Sequence, residues 1–350
     1  MGVFDGNEGS AHQLARHLGA PIILVLDIRG QSETAGEIAA VLSARLKADG
    51  VKLAGVILNR SQSKRHGEMV YTRCAALEVD VLGIVAERRD LQMPSRHLGL
   101  VQAADLAAAD KLNSVLDLAA AAAETEIDLD QLLATAAPLR KISRNASSSN
   151  EAMPPLGQRI AVAHDAAFGF SYTHILEGWQ RMGAEISTFS PLADEAPRPD
   201  ADAIFLPGGY PELHLPALAS AHHFADAMTS AAAASTVIYG ECGGYMCLGK
   251  QIIDSDGTAY PMLGLLDLET SFTAPTRVLG YRQLRLLPDA AMPLPALARG
   301  HEFHFTHAAK EKGERLFQAE DKSGKSLGEI GLKSGSVAGS YAHIIAQVTA

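Results

Sequence analysis

Cysteine is scarce. Three residues in 350, Cys74, Cys242 and Cys247, are too few and oddly numbered for a disulfide framework, and none forms the CxxC pair of zinc or redox sites. A reducing, cytoplasmic setting is expected. Long apolar runs are also missing: the richest, 21–26 and 116–123, fall short of the roughly 20 residues a membrane span needs. The opening Met-Gly-Val-Phe-Asp-Gly has neither the basic nor the apolar region of an export signal, and Gly6 stands where a myristoylation signal carries Ser or Thr. Net positive charge is absent as well. With 30 Lys and Arg against 40 Asp and Glu, the formal charge is −10, so the surface repels the phosphate backbone that supplies most non-specific nucleic-acid affinity. Neither a nucleic acid nor a membrane is expected as a partner.

What is present is an ordinary globular composition, 47% hydrophobic and 20% charged, long enough for two domains at about 150 residues each. Helical and strand patterns alternate from the start. Residues 11–18 read as a helix, 22–27 as a buried strand, 34–47 as a helix, 53–58 as a second strand, 66–77 as a helix, 81–85 as a third strand and 105–123 as an alanine-rich helix. That alternation predicts a parallel sheet. Periodicity fades over 124–158, where Arg144-Asn-Ala-Ser-Ser-Ser-Asn150 and Pro154-Pro155 read as a linker. The expected division is 1–123, linker 124–158, and a second α/β domain over 159–350.

In the second half, strand 203–206 runs into Pro207-Gly-Gly-Tyr-Pro211, and strand 236–239 into Gly240-Glu-Cys-Gly-Gly244. Parallel neighbours would bring both turns to one edge of the sheet, where ligands bind in open α/β folds. The second turn is the nucleophile-elbow pattern with Cys in place of Ser. Cys242 is the candidate nucleophile, expected to stand exposed above the sheet with its pKa lowered by a helix N-terminus; the alternative is a buried small hydrophobe. Cys247, without such flanks, is expected in the core. A thioester-forming thiol needs amide donors aimed at the oxyanion, for which the backbone of Gly208, Gly209 and Gly243 is available. The base is expected to be one of the 13 histidines, and His343, about a hundred residues later, suits a base carried on a later strand.

These residues resemble a class I glutamine amidotransferase domain. More narrowly, the run from Ala161 to Tyr172, Phe189-Ser-Pro-Leu192, Leu206-Pro-Gly-Gly-Tyr-Pro-Glu212, Gly280-Tyr281 and Gly300-His-Glu-Phe-His304 resemble the cobyrinate or hydrogenobyrinate a,c-diamide synthases of cobalamin biosynthesis. Phe4-Asp-Gly6, Gly55-Val-Ile-Leu-Asn-Arg60 and Pro94-Ser-Arg-His-Leu-Gly-Leu100 are similar to the ATP-binding half of that family. The resemblance implies an α/β protein with a partial P-loop, dethiobiotin-synthetase-like parallel-sheet domain followed by a class I glutamine amidotransferase-like α/β domain. It departs from the family's pattern twice. Most class I glutaminases carry a carboxylate two residues after the base, where this chain has Ile345, so the group orienting His343 is open. No GxxxxGK[ST] occurs anywhere in the sequence, so Met1 is expected to be an internal methionine of a longer family pattern.

The family implies a reaction in which ATP, with Mg2+, phosphorylates a side-chain carboxylate of a corrin ring and ammonia from glutamine displaces the phosphate. Asp5 is the candidate metal ligand or a plain turn residue. Asp27, at the carboxyl end of its strand, is a candidate nucleotide or magnesium contact, and Asn59 either reads adenine or simply ends a strand. Ser95, Arg96 and His97 are candidates for the polycarboxylate substrate, Arg96 as a bidentate clamp or as an ordinary surface residue. Glu302 and His304 share one face of a strand and are assigned to substrate or to a domain contact; their spacing with His301 does not match a zinc helix. The expected substrates are a corrin polycarboxylate and L-glutamine, and a homodimer is left open. The competing readings are a glutaminase-like or corrin-binding protein without ligase activity, and an unrelated cysteine hydrolase.

Overall fold

Ser10 opens the first helix by accepting the Gln13 N–H at 3.2 Å, and Gly19, at φ 68°, closes it in the left-handed conformation glycine tolerates best. The computed structural model describes residues 10–91, 111–140 and 152–348, which divide between two compact units, one holding the first two stretches and the other the third. The first unit runs α1 (Ala11–Leu18), β1 (Ile22–Asp27), α2 (Glu33–Ala48), β2 (Leu53–Ser61), α3 (Lys64–Ala76) and β3 (Val81–Ala86). Its strands are parallel, in the order β1-β2-β3. Positions 54–58 of β2 are buried without a break, as expected for a strand with a neighbour on each edge and cover on both faces. Val56 and Leu58 pack with Ile28, Ala35, Ala39, Val70 and Cys74 in the core of this unit.

The alanine-rich helix, α4 (Lys111–Glu126), runs past the expected end at 123, and α5 (Leu129–Ala134) follows. Asp128 caps α5 by accepting the Gln131 N–H at 2.9 Å. Ile127 bridges to Gly83, and the Glu126 carboxylate accepts the Ala86 N–H at 2.8 Å while pairing with Arg88. The stretch from 124 to 134 is thus fastened to β3. Its composition reads as a linker because it is held by polar contacts rather than by an apolar stripe.

The second unit begins with β4 (Arg159–Ala163), α6 (Thr173–Arg181), β5 (Glu185–Phe189) and β6 (Ala203–Leu206). Then come α7 (Leu215–Ala219), α8 (His222–Ala233), β7 (Val237–Glu241) and α9 (Gly243–Leu248). Strands β8 (Gln251–Ile253), β9 (Ala259–Pro261), β10 (Leu268–Ser271), β11 (Val278–Leu286), β12 (Leu297–His304) and β13 (His307–Glu311) follow. The last are β14 (Glu314–Asp321), β15 (Ser326–Ser334), β16 (Val337–Ser340) and β17 (His343–Gln347). Ten of these strands form one sheet, ordered β17-β12-β11-β14-β15-β16-β7-β6-β4-β5, and β13-β10-β8-β9 form a smaller one. The portion from β16 through β5 is parallel, and the rest of the large sheet is antiparallel.

Two features of this sheet position the site. Phe205 and Tyr239 stack at 6.1 Å, with Trp179 edge-on to Phe205 at 5.6 Å, so β6 and β7 lie fixed side by side with their carboxyl ends level. Second, β16 and β17 stand at opposite ends of the run β17-β12-β11-β14-β15-β16 but are joined only by Tyr341 and Ala342. That run must therefore curl until its first and last strands meet. The curl carries His343, the first residue of β17, to the carboxyl end of β7. Among the described residues no helix is long and apolar enough to cross a membrane.

Candidate active site

The elbow is set by backbone geometry. Cys242 sits between β7 and α9 at φ 47°, ψ −106°, a region that a non-glycine residue occupies only when its surroundings impose it. Hydrogen bonds on both sides impose it here: the Cys242 N–H donates to the Ser340 carbonyl at 2.9 Å and the Gly244 N–H to the Pro207 carbonyl at 3.1 Å. The latter bond ties the elbow to the Pro207-Gly208-Gly209 turn, which follows β6 as the sequence predicts.

Gly208 is where the nucleophile and the base converge. A Cβ there would collide with Cε1 of His343 and lie 3.0 Å from its Nε2 and 3.4 Å from Cβ of Cys242. Only a glycine lets the imidazole edge bearing Nε2 and the cysteine side chain share that space. Gly209 is as tightly constrained, since a Cβ on it would collide with the Ala167 carbonyl oxygen. Its nitrogen lies 3.0 Å, and its carbonyl oxygen 3.2 Å, from where a Cβ on Gly243 would project, so the Gly209 backbone packs directly against the elbow. The Gly243 N–H is in the first turn of α9, where helix N–H groups lack an intrahelical acceptor, and it donates toward the Cys242 sulfur. The structure therefore brings together Cys242, His343, Gly208, Gly209 and Gly243.

The environment of the thiol differs from the expectation. Cys242 is 5% exposed, and burial pushes its thiol up to about 12, with the Glu212 and Glu241 carboxyls adding to the rise. Helix α9 has six residues and a correspondingly weak N-terminal field, so desolvation outweighs it. The resting thiol is protonated and needs a base. His343 is neutral for the same reason: burial, reinforced by His301 and His304, holds its imidazole down at about 3. A neutral imidazole beside a protonated thiol is the general-base arrangement.

Several neighbours of His343 have no role assigned from sequence. His301 pairs with His343 across β12 and β17 and stacks on it with ring centroids 4.9 Å apart at 4°. The Tyr172 hydroxyl hydrogen-bonds to Nε2 of His301, and burial pushes that hydroxyl up to about 12. Glu241, 3% exposed, places Oε2 3.6 Å from Nδ1 of His343, while its Oε1 accepts the Ile344 N–H at 2.9 Å. Burial pushes the Glu241 carboxyl up to about 8. All three residues lie inside the motif runs quoted above. Adjacency to the nucleophile was the only signal for Glu241.

Residues 159–349 match the CobB/CobQ-like glutamine amidotransferase domain. The whole chain is similar to the hydrogenobyrinate a,c-diamide synthase of Brucella abortus biovar 1, 49% identical over 351 residues that cover 99% of this chain and 78% of that protein. The enzymes of the same name from Rhizobium meliloti and Mesorhizobium japonicum are 44% and 43% identical, covering 99% and 100% of this chain and 79% and 80% of theirs. The chain belongs to the hydrogenobyrinate a,c-diamide synthase family. As in the family-level expectation, its second unit is a glutamine amidotransferase domain.

The remaining candidates of this family member fall in other stretches of the chain. Asp5, Ser95, Arg96 and His97 lie outside the described residues. Asp27 and Asn59 are register partners at the carboxyl ends of β1 and β2, but neither is free. The Asp27 carboxylate is held by Arg29 at 3.0 Å and Arg60 at 3.1 Å, and the Arg29 hydrogen bond keeps it below the usual carboxylate range. Asn59 Oδ1 accepts the Arg60 N–H at 3.0 Å. The Asp27 carboxylate is thus engaged by two half-exposed guanidiniums. Glu302 pairs with Arg282 and lies 3.9 Å from Nε2 of His304, whose Nδ1–H donates to the Thr306 carbonyl at 3.0 Å. Both are within the second unit, His304 buried and Glu302 half-buried. Cys247 lies in the core, as expected.

Proposed function

We propose that this protein hydrolyses glutamine at Cys242 and delivers the ammonia to the a and c acetate carboxylates of hydrogenobyrinate, forming the a,c-diamide. The relatives' names support the cobalt-free ring as substrate. The observation that carries the glutaminase half is the glycine seat at 208, where one point lies within 3.4 Å of both Nε2 of His343 and Cβ of Cys242. His343 Nε2 takes the thiol proton and the sulfur electron pair attacks the glutamine side-chain carbonyl carbon. The Gly209 and Gly243 N–H groups receive the developing oxyanion. Collapse breaks the carbon–nitrogen bond, and the imidazolium returns its proton to the departing ammonia. Water, deprotonated by the same imidazole, then cleaves the thioester to glutamate. Activation of the acceptor carboxylate by ATP and Mg2+ belongs to this reading through the family resemblance; no described residue is assigned to that step.

Replacing Cys242 with Ala tests the reading. Glutamine-dependent amidation of hydrogenobyrinate is expected to vanish while amidation from added ammonium salt persists at the wild-type rate. Equal loss of both in a folded protein would overturn the two-centre mechanism.

A further inference from the structure

The base needs an orienting group, and the position that most class I glutaminases use for it is Ile345. For Nε2 of His343 to accept a proton from Cys242, Nδ1 must carry the ring's own proton, and that requires an acceptor facing Nδ1. The acceptor comes from the other side of the elbow. Glu241 ends β7 one residue before the nucleophile, and its register partner is Ser340 at the end of β16. From there its carboxyl group reaches the start of β17. Oε1 takes the Ile344 N–H at 2.9 Å, which leaves Oε2 beside Nδ1 at 3.6 Å. Side-chain exposure is 5% for His343 and 4% for Glu241, so bulk water does not replace either contact. The faces of the imidazole are occupied separately, by stacked His301 at 4.9 Å and edge-on Tyr172 at 6.5 Å.

We propose that Glu241 is the positioning residue of the glutaminase site, fixing His343 as its Nδ1–H tautomer and turning Nε2 toward Cys242. The inference rests on the reading of Cys242 and His343 given above. A buried carboxyl group this close to an imidazole is expensive to keep without partners; the Ile344 N–H holds Oε1, and the Tyr239 hydroxyl also interacts with the carboxyl group. As a carboxylate, Oε2 can only accept the Nδ1–H; as a neutral carboxyl group it accepts when the acid proton sits on Oε1. When the thiol proton reaches Nε2, the positive charge on the ring forms next to this oxygen; no proton moves to Glu241.

Glu241→Gln separates this role from simple packing. An amide has one accepting oxygen, which the Ile344 N–H claims, so the NH2 group would face Nδ1 and impose the opposite tautomer. In full-length protein, glutamine hydrolysis by E241Q is expected to fall on the order of 10²–10⁴-fold in kcat, as when a triad carboxylate is made an amide, with KM for glutamine within about twofold. Nitrogen-15 spectra of histidine-labelled protein, with His343→Asn identifying the signal, should show Nδ1–H in the wild type and Nε2–H in E241Q. Unchanged kcat and tautomer in folded E241Q would overturn the proposal. So would an Nε2–H tautomer in the wild type, a result that stands even if E241Q does not fold. Glutamine hydrolysis that survives Cys242→Ala would instead overturn the assignment of the site itself. An inactive Cys242→Ala beside a fully active E241Q would remove the role of Glu241 alone.

Discussion

The carboxyl edges of the two units handle charge in opposite ways. At β1 and β2, Asp27, Arg29 and Arg60 form ion pairs whose side chains are 44–46% exposed, so water competes with every contact. At β7 and β17, Glu241 and His343 are almost fully enclosed, and each is pushed from its ordinary pKa by desolvation. A charged residue at the end of a strand is thus not in itself a sign of chemistry. What distinguishes the second edge is that close glycine approaches and a strained cysteine force titratable groups together out of water.

The strongest way to break this contrast is to fill the glycine seat. Gly208→Ala places a methyl group against the imidazole of His343, and displacing the base by about 1 Å is expected to lower glutamine turnover at least about 100-fold. Steady-state hydrolysis, with circular dichroism to show that the variant is folded, checks it. A rate near wild type would mean that the imidazole edge does not occupy that space.

A smaller effect is expected in stability. The folded chain keeps the Glu241 proton up to about pH 8, against 4.5 for an ordinary carboxyl. Between those values the folded state binds more protons than the unfolded chain, so this group lowers stability as pH rises. The groups facing it, His343, Cys242 and Tyr239, stay uncharged through that window. Urea unfolding at a series of pH values should therefore show a shallower decline for E241Q than for wild type between about pH 5 and 8. Parallel curves would show that the carboxyl group is not desolvated. The smallest effect belongs to the exposed edge: Asp27→Asn is expected to leave both the glutaminase rate and the urea midpoint within experimental error, because exposed pairs contribute little. A changed rate would give that edge a part in glutamine chemistry.

Much of this was legible in the sequence. Every strand expected in the first unit appears, because buried parallel strands write themselves as apolar runs such as Val56-Ile-Leu58. The elbow was equally clear, since glycines on both sides of a cysteine after a strand have few other uses. The curled antiparallel strands were not: in β11 only Leu284 is buried among exposed and half-buried positions, and neither the closure onto β17 nor the pairing of His301 with His343 follows from a local pattern. The burial of Cys242 was missed for a related reason. Exposure depends on what packs over the turn, and Gly208 and His343 arrive from distant segments. Helical structure beyond 123 was concealed because polar contacts through Glu126 and Asp128 hold it.

The most direct test of the central claim is to trap the intermediate. Full-length protein mixed with glutamine, quenched in acid and digested, should yield one γ-glutamyl group on the peptide containing Cys242, identified by mass spectrometry and absent from Cys242→Ala. A γ-glutamyl group on Cys247 or Cys74, or turnover with no covalent species on Cys242 under conditions that preserve thioesters, would contradict the account.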